Sequence, residues 1–312
     1  MVGGSMVRRV GILVALALAA AGCMDSSSSA PAPVVETEPS AEALARLRDT
    51  DICALIPPDA LAEYGVTAVG TNHLYGCAAV LGGDPQPSGS VDWVVRSLDN
   101  TDLDAGETVT IDGAAVTLIG DYHALRPDEI ATASQRFCTA YSPLPTGGSI
   151  EIRLNVGAGT EPCTAIQPLV GVALSEWKRH PRLGESPGTV RTVVTGADPC
   201  EVLTRLPDAR GGRTQWVDGC WFDLDGDHIY VGYTHASDRE FENYDKVEIA
   251  GRQVFATNED GTAYMVRVGP TFDPVVDGYE FEEVPAVQVR GHDRAAVEKA
   301  VTAVLGIFPE AE

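Results

Sequence analysis

Residues 77–84 read CAAVLGGD and residues 220–227 read CWFDLDGD. Both follow the pattern Cys-x-x-x-Leu-x-Gly-Asp, and the match continues in both directions. Upstream, Asp51-Ile52-Cys53-Ala54-Leu55 and Asp198-Pro199-Cys200-Glu201-Val202-Leu203 each open with Asp-x-Cys and run into an aliphatic stretch. Downstream, Val109-Thr110-Ile111-Asp112-Gly113 matches Val247-Glu248-Ile249-Ala250-Gly251, two apolar residues at strand spacing followed by a glycine turn. Ser149–Val156 and Pro285–Arg290 alternate apolar with polar residues, the signature of a half-buried strand. Each copy then closes with a helix. The first runs from about Thr164 to Lys178; the second follows an Asp293 cap and places Val297, Val301, Val304 and Leu305 on one face. This pattern predicts an α+β chain: two tandem copies of a small antiparallel-sheet domain with packed helices, residues 48–183 and 190–312. The join is the Pro- and Gly-containing segment Pro181 to Thr189.

Asp223, Asp225 and Asp227 around Gly226 also resemble a calcium loop. Such a loop requires D-x-[DN]-x-[DN]-G and a Glu at its twelfth place. Counted from Asp223, the Gly falls fourth and the twelfth residue is Thr234. The first copy has Val80 and Gly82 where Asp223 and Asp225 stand. Asp225-Gly226 between two apolar runs reads instead as a tight hairpin turn.

The repeat also orders the cysteines, which stand at 23, 53, 77, 138, 163, 200 and 220. The second copy contains only Cys200 and Cys220, so these two pair. By the same logic Cys53 pairs with Cys77, which leaves Cys138 for Cys163. Each bridge closes a loop of about 20 to 25 residues and contributes on the order of 3 kcal/mol. The spacings fit no zinc pattern and there is no Cys-x-x-Cys, so neither a metal nor a cofactor is expected.

Cys23 has a different context. Arg8 and Arg9 precede an apolar run from Val10 to Ala21, and Ala20-Ala21-Gly22-Cys23 resembles a bacterial lipobox. Residues 1–22 are therefore expected to be a lipoprotein signal peptide, with Cys23 lipidated and anchoring the chain to the outer face of the cell membrane. Residues 23–47, with their Ser, Pro, Ala and Glu, read as a flexible tether. No later stretch is apolar enough to span a bilayer. Lys and Arg number 22 against 45 Asp and Glu, a formal net charge of −23. Loss of Arg8 and Arg9 with the signal makes this −25. That balance argues against a nucleic-acid partner, which needs basic patches.

The lipobox, the Asp-Pro-Cys-x-x-Leu opening at Asp198, a second Cys before an aromatic strand and a closing helix together resemble an actinobacterial lipoprotein family of unknown function. The second copy fits its pattern better. The first has Ile52 where Pro is usual and carries the extra pair Cys138 and Cys163. The resemblance implies a small α+β domain displayed outside the membrane and brings no catalytic residues with it.

Chemistry-bearing motifs are sparse. Gly89-Ser90 and Gly148-Ser149 enter strands and lack the G-x-S-x-G elbow of a serine hydrolase. There is no H-E-x-x-H and no phosphate-binding glycine loop. His228 and His235, seven apart, face opposite sides of a continuous strand. Asp238–Asp245 and Asp277–Glu283 mix carboxylates with aromatics. From these segments Tyr244, Tyr279, Phe281 and Glu280 are candidates for one wall of a ligand cleft; the competing reading is solvated loops with single anchoring aromatics. Trp93, Trp177, Trp216 and Trp221 divide between ligand contact and core. The expected function is a non-enzymatic binding or scaffolding module of the cell envelope, its partner an envelope ligand or protein. The alternative is a wall-acting hydrolase using paired carboxylates.

Overall fold

The first half of the chain runs through helix α1 (Ala41–Asp49), strands β1 (Val66–His73), β2 (Gly76–Leu81), β3 (Gly89–Arg96), β4 (Glu107–Ile111) and β5 (Ala114–Gly120), helix α2 (Pro127–Thr132), β6 (Gln135–Pro143), β7 (Ser149–Gly157) and α3 (Pro162–Arg179). The second half adds β8 (Arg210–Trp216), β9 (Gly219–Leu224), β10 (Asp227–Ser237), β11 (Asp245–Ile249), β12 (Arg252–Ala256), β13 (Ala263–Arg267), β14 (Glu283–Arg290) and α4 (Arg294–Ile307). This computed structural model describes residues 40–82, 89–96, 106–144, 148–274 and 282–308, with only the backbone described at 213–216.

Each half folds into one seven-stranded antiparallel sheet, in the orders β1-β2-β3-β7-β6-β5-β4 and β8-β9-β10-β14-β13-β12-β11. Adding seven to every strand number of the first sheet gives the second. The repeat seen in short motifs therefore extends to the whole topology, and the α+β, two-copy reading holds.

Alternation explains why each sheet needs its helix. Val91, Trp93 and Val95 on β3 and Ile150, Ile152 and Leu154 on β7 all point to one face. The buried residues of α3, among them Ile166, Leu169, Val170 and Trp177, cover that face. In the second copy Ile229, Val231 and Tyr233 on β10 and Val287 and Val289 on β14 meet Val297, Val301 and Val304 of α4. Each such aliphatic side chain contributes roughly 1.5–3 kcal/mol by leaving water. Asp293 caps α4, its carboxylate accepting from the Ala296 N–H at 2.9 Å.

The bridges are Cys53–Cys77, Cys138–Cys163 and Cys200–Cys220, the pairs the repeat requires. Two of them join the opening 3-10 helix of a copy, Cys53–Leu55 or Pro199–Arg205, to its sheet. The Asp-x-Cys motif has a capping role: Asp198 accepts from the Cys200 N–H at 3.0 Å, and Asp51 from the Ala54 N–H at 3.2 Å. Three hairpin turns place both central residues in the left-handed region: Asp112-Gly113, Ala250-Gly251 and Asp225-Gly226. That is the two-residue turn whose twist matches the strands it joins. The Asp225 carboxylate faces α4, 3.1 Å from Lys299 Nζ. Gly83 and Asp84 of the first copy lie outside the described residues.

One boundary is corrected. The tether expected over 23–47 gives way to α1, because Ser40 Oγ accepts from the Ala43 N–H at 3.1 Å and starts a helix there. Leu44 and Leu47, three apart on one face, enter the first core. The expected signal peptide, Cys23 and residues 24–39 of the expected tether lie outside the described residues. Among those described, no helix is long and apolar enough to cross a membrane.

The two copies pack on each other. Leu74 touches both cores, Val217 is buried in the first core, and Arg48 pairs with Asp198 at 3.3 Å. Buried Asp51 fastens the linker by accepting from the Gly184 and Ser186 N–H groups, each at 2.9 Å, and from the Thr189 hydroxyl.

Candidate functional site

The inward row of β10 reads Ile229, Val231, Tyr233, His235, and the matching row of β14 reads Val289, Val287, Pro285, Glu283. The apolar members belong to the α4 core. At His235 the cover changes to residues just after the linker and to the segment before β14. Thr192 Oγ1 lies 3.1 Å from His235 Nε2, and the Phe272 ring meets the imidazole edge-on at 4.9 Å. Phe272 is fixed by a backbone bridge to Glu283.

This cover buries an imidazole and a carboxyl together. The side chains of His235 and Glu283 are 1% and 10% exposed, with Nδ1 and Oε2 3.9 Å apart. Neither of these two atoms has a hydrogen-bond partner. Burial, reinforced by His73 of the first sheet, holds the His235 pKa down to about 4. Burial, reinforced by Glu240, pushes Glu283 up to about 7. Burial thus disfavours charge on both groups.

On the solvent side of Thr192 and Phe272 lies an open groove of about 530 Å³, within the usual range for small ligands. Val190, Val193, Pro270, Phe272 and Pro285 form apolar walls, and Arg191, Thr192 and Thr271 supply the polar rim. Val193 is 52% exposed, one of two large hydrophobic residues so exposed among the described residues. Arg191 makes no ion pair among them.

Thr192, His235 and Glu283 follow the order of a nucleophile, base and orienting acid. Two facts argue against that chemistry in this arrangement. A base whose pKa is near 4 takes a hydroxyl proton poorly at neutral pH, and 3.9 Å is too long for the hydrogen bond that would orient the imidazole. Among the described residues no three His, Cys, Asp or Glu side chains converge as a metal site.

Of the residues singled out from sequence, Tyr244 ends the 3-10 turn Asp238–Asn243 and stands edge-on to Phe241 at 6.3 Å. It closes a small separate core of Ala236, Phe241, Phe255, Met265, Val284 and Ala286, and does not line the groove. Tyr279, Glu280 and Phe281 lie outside the described residues. Trp93 donates to the Ile52 carbonyl at 2.6 Å and is core, as is Trp177; Trp221 is on the outward face of β9. The side chain of Trp216 is not described. His235 and Glu283 were within reach of sequence reasoning, because each shares its parity with the buried valines of its own strand. The groove was not, since its walls come from three separated stretches of chain.

Among family models, curated proteins and solved structures, none matches this chain.

Proposed function

We propose that this is an exported, lipid-anchored protein of the cell envelope that binds an amphiphile in the groove beside Val193 without turning it over. The observation that carries the reading is the groove itself: apolar walls, an exposed valine at the mouth, and at the rim a cation, Arg191, with no ion pair among the described residues. An apolar body fits the walls, and an anionic head fits Arg191, a local exception on a chain of net charge −23. Lipid chemistry of that kind is what a protein tethered through Cys23 would meet. Three disulfides favour an oxidising compartment. The lipobox-like Ala20-Ala21-Gly22-Cys23 and the Asp-Pro-Cys opening support assignment to the actinobacterial lipoprotein family.

The test is titration of the purified mature chain with a fluorescent long-chain fatty acid. Val193→Asp and Arg191→Glu should each weaken binding at least tenfold. Binding that neither substitution changes would remove the groove from the proposal. A hydrolase using carboxylates draws support from Glu283, whose raised pKa suits a general acid, with Glu240 as its acidic neighbour. Wall-polymer turnover that is lost in Glu283→Gln while groove binding persists would favour that second reading.

A further inference from the structure

The outward face of the first sheet carries a second depression, about 480 Å³, in which charged and amide side chains surround an apolar part at Trp93 and Val94. Asn72, Asp92, Arg153 and Asn155 stand at one end, and the ion pair Arg96–Glu151 at the other. Asp92 and Arg153 are directly opposite in the β3–β7 register. Two cations and two anions therefore balance here, although the whole chain is strongly acidic. His73 at the rim is kept neutral at pH 7, because burial lowers its pKa.

Within this balanced lining, Asp92 has spare bonding capacity. Its half-buried carboxylate has no ion pair among the described residues and accepts only from neutral groups, Asn72 Nδ2 at 3.2 Å and Ser90 Oγ at 3.4 Å. Asn155 Nδ2 donates to Ser90 Oγ at 3.0 Å, linking β7 to the same network. The Arg153 guanidinium lies over the Phe137 ring at 5.1 Å. Asn72 is 3% exposed, and its Oδ1 has no hydrogen-bond partner. An acceptor buried in this way is costly unless something donates to it.

The second copy carries different side chains at the matching register. Opposite Asp92 the first copy has Ala78; at the same register in the second, Tyr230 faces Trp221. Those two rings are 4.8 Å apart, and Arg290, the topological counterpart of Arg153, lies 4.5 Å over Tyr230. Tyr230 spreads over Gly219 and Gly232, where a Cβ would come within 2.7 and 2.4 Å of it. The first copy thus keeps a polar pair-wise network of Asn72, Asp92 and Arg153 beside a small, buried Ala78, where the second copy stacks aromatic rings.

We infer that the outward face of the first sheet binds a neutral sugar, Asp92 accepting from adjacent hydroxyls and Asn155 and Arg153 donating to them. Hydroxyl groups donate and accept at once, which suits a charge-balanced lining with both kinds of partner. Two arginines and two carboxylates leave the lining without net charge, so it favours neither an anion nor a cation. This site is independent of the groove beside Val193, on different strands of the other sheet.

The experiment is calorimetric titration of the mature chain with cellobiose, chitobiose, maltose and galactobiose. At least one should bind. Asp92→Ala and Asp92→Asn should each weaken it at least tenfold, with Val193→Asp leaving it unchanged. In Asp92→Asn one acceptor oxygen is swapped for a donor while the side chain keeps its size, which separates lost recognition from lost packing. Absence of binding by all four sugars, or affinity untouched by the Asp92 substitutions, overturns the inference. Preference for an acidic disaccharide over every neutral one does so too.

Discussion

The buried pair His235 and Glu283 makes a prediction with opposite signs in two single variants. Unfolded, the two groups titrate near 6.5 and 4.5; folded, near 4 and 7. Between pH 4.5 and 6.5 the unfolded pair holds one proton, on the imidazole. The folded pair also holds one, whichever of the two groups carries it. Proton counts are equal, so this pair adds no pH dependence to stability in that window. Each partner alone behaves differently. In Glu283→Gln the folded imidazole stays neutral while the unfolded one charges, so stability falls as pH drops from 6.5 towards 4. In His235→Gln the folded carboxyl stays protonated while the unfolded one ionises, so stability falls as pH rises from 4.5 towards 7. A displacement from 6.5 to about 4, or from 4.5 to about 7, corresponds to ~3 kcal/mol across its window, at ~1.4 kcal/mol per pH unit. Urea unfolding of the wild type and both variants at half-unit steps from pH 4.5 to 7 measures this. Other titrating groups are common to all three proteins and cancel in the differences. Two variants with the wild-type slope, or with slopes of the same sign, would refute the reasoning.

Two shorter tests address the repeat motifs. If Asp225-Gly226 is a hairpin turn, calcium should leave the melting temperature unchanged and Asp225→Asn should cost less than about 1 kcal/mol, since the Lys299 contact is solvent-exposed. Gly226→Ala, forced to a φ of 89°, should cost about 1–2 kcal/mol in the same melts. The paired caps can be compared in urea titrations: Asp198→Ala loses a helix cap, worth about 1 kcal/mol, and also the carboxylate that pairs with nearly buried Arg48, so it should cost more than a cap alone. Asp51→Ala also releases the linker from a buried carboxylate and should cost about 3 kcal/mol or more.

What could be read from sequence was what repeats or alternates. The strand at Ser149–Val156, the Asp293 cap and the cysteine pairs are local patterns, and the structure has each in place. α1 escaped because composition upstream of it, rich in Ser and Pro, outweighed the short spacing of Leu44 and Leu47. The groove escaped for a different reason. Val193 lies just after the linker, Pro270 and Phe272 before β14, and Pro285 within it; only tertiary folding brings these stretches together. Aromatic–acidic composition pointed to Tyr244, which the fold uses for packing against Phe241.

The two copies keep the same inner face for a reason that also locates their differences. An inward residue must fit against α3 or α4, so β3 and β10 both alternate aliphatic and aromatic residues there. Neither α3 nor α4 covers the outward positions, and in the second copy Phe241 packs on only part of that face. At one such register the first copy has Ala78 and Asp92 and the second Trp221 and Tyr230, while the arginines beside them, Arg153 and Arg290, are retained. The other place without a helix over it is the end of the β10 row, where residues 190–193 and the segment before β14 take over from α4 and the row continues into His235 and, on β14, Glu283. Duplication supplied two equal scaffolds, and the positions released from helix packing are those where binding chemistry could differ between them.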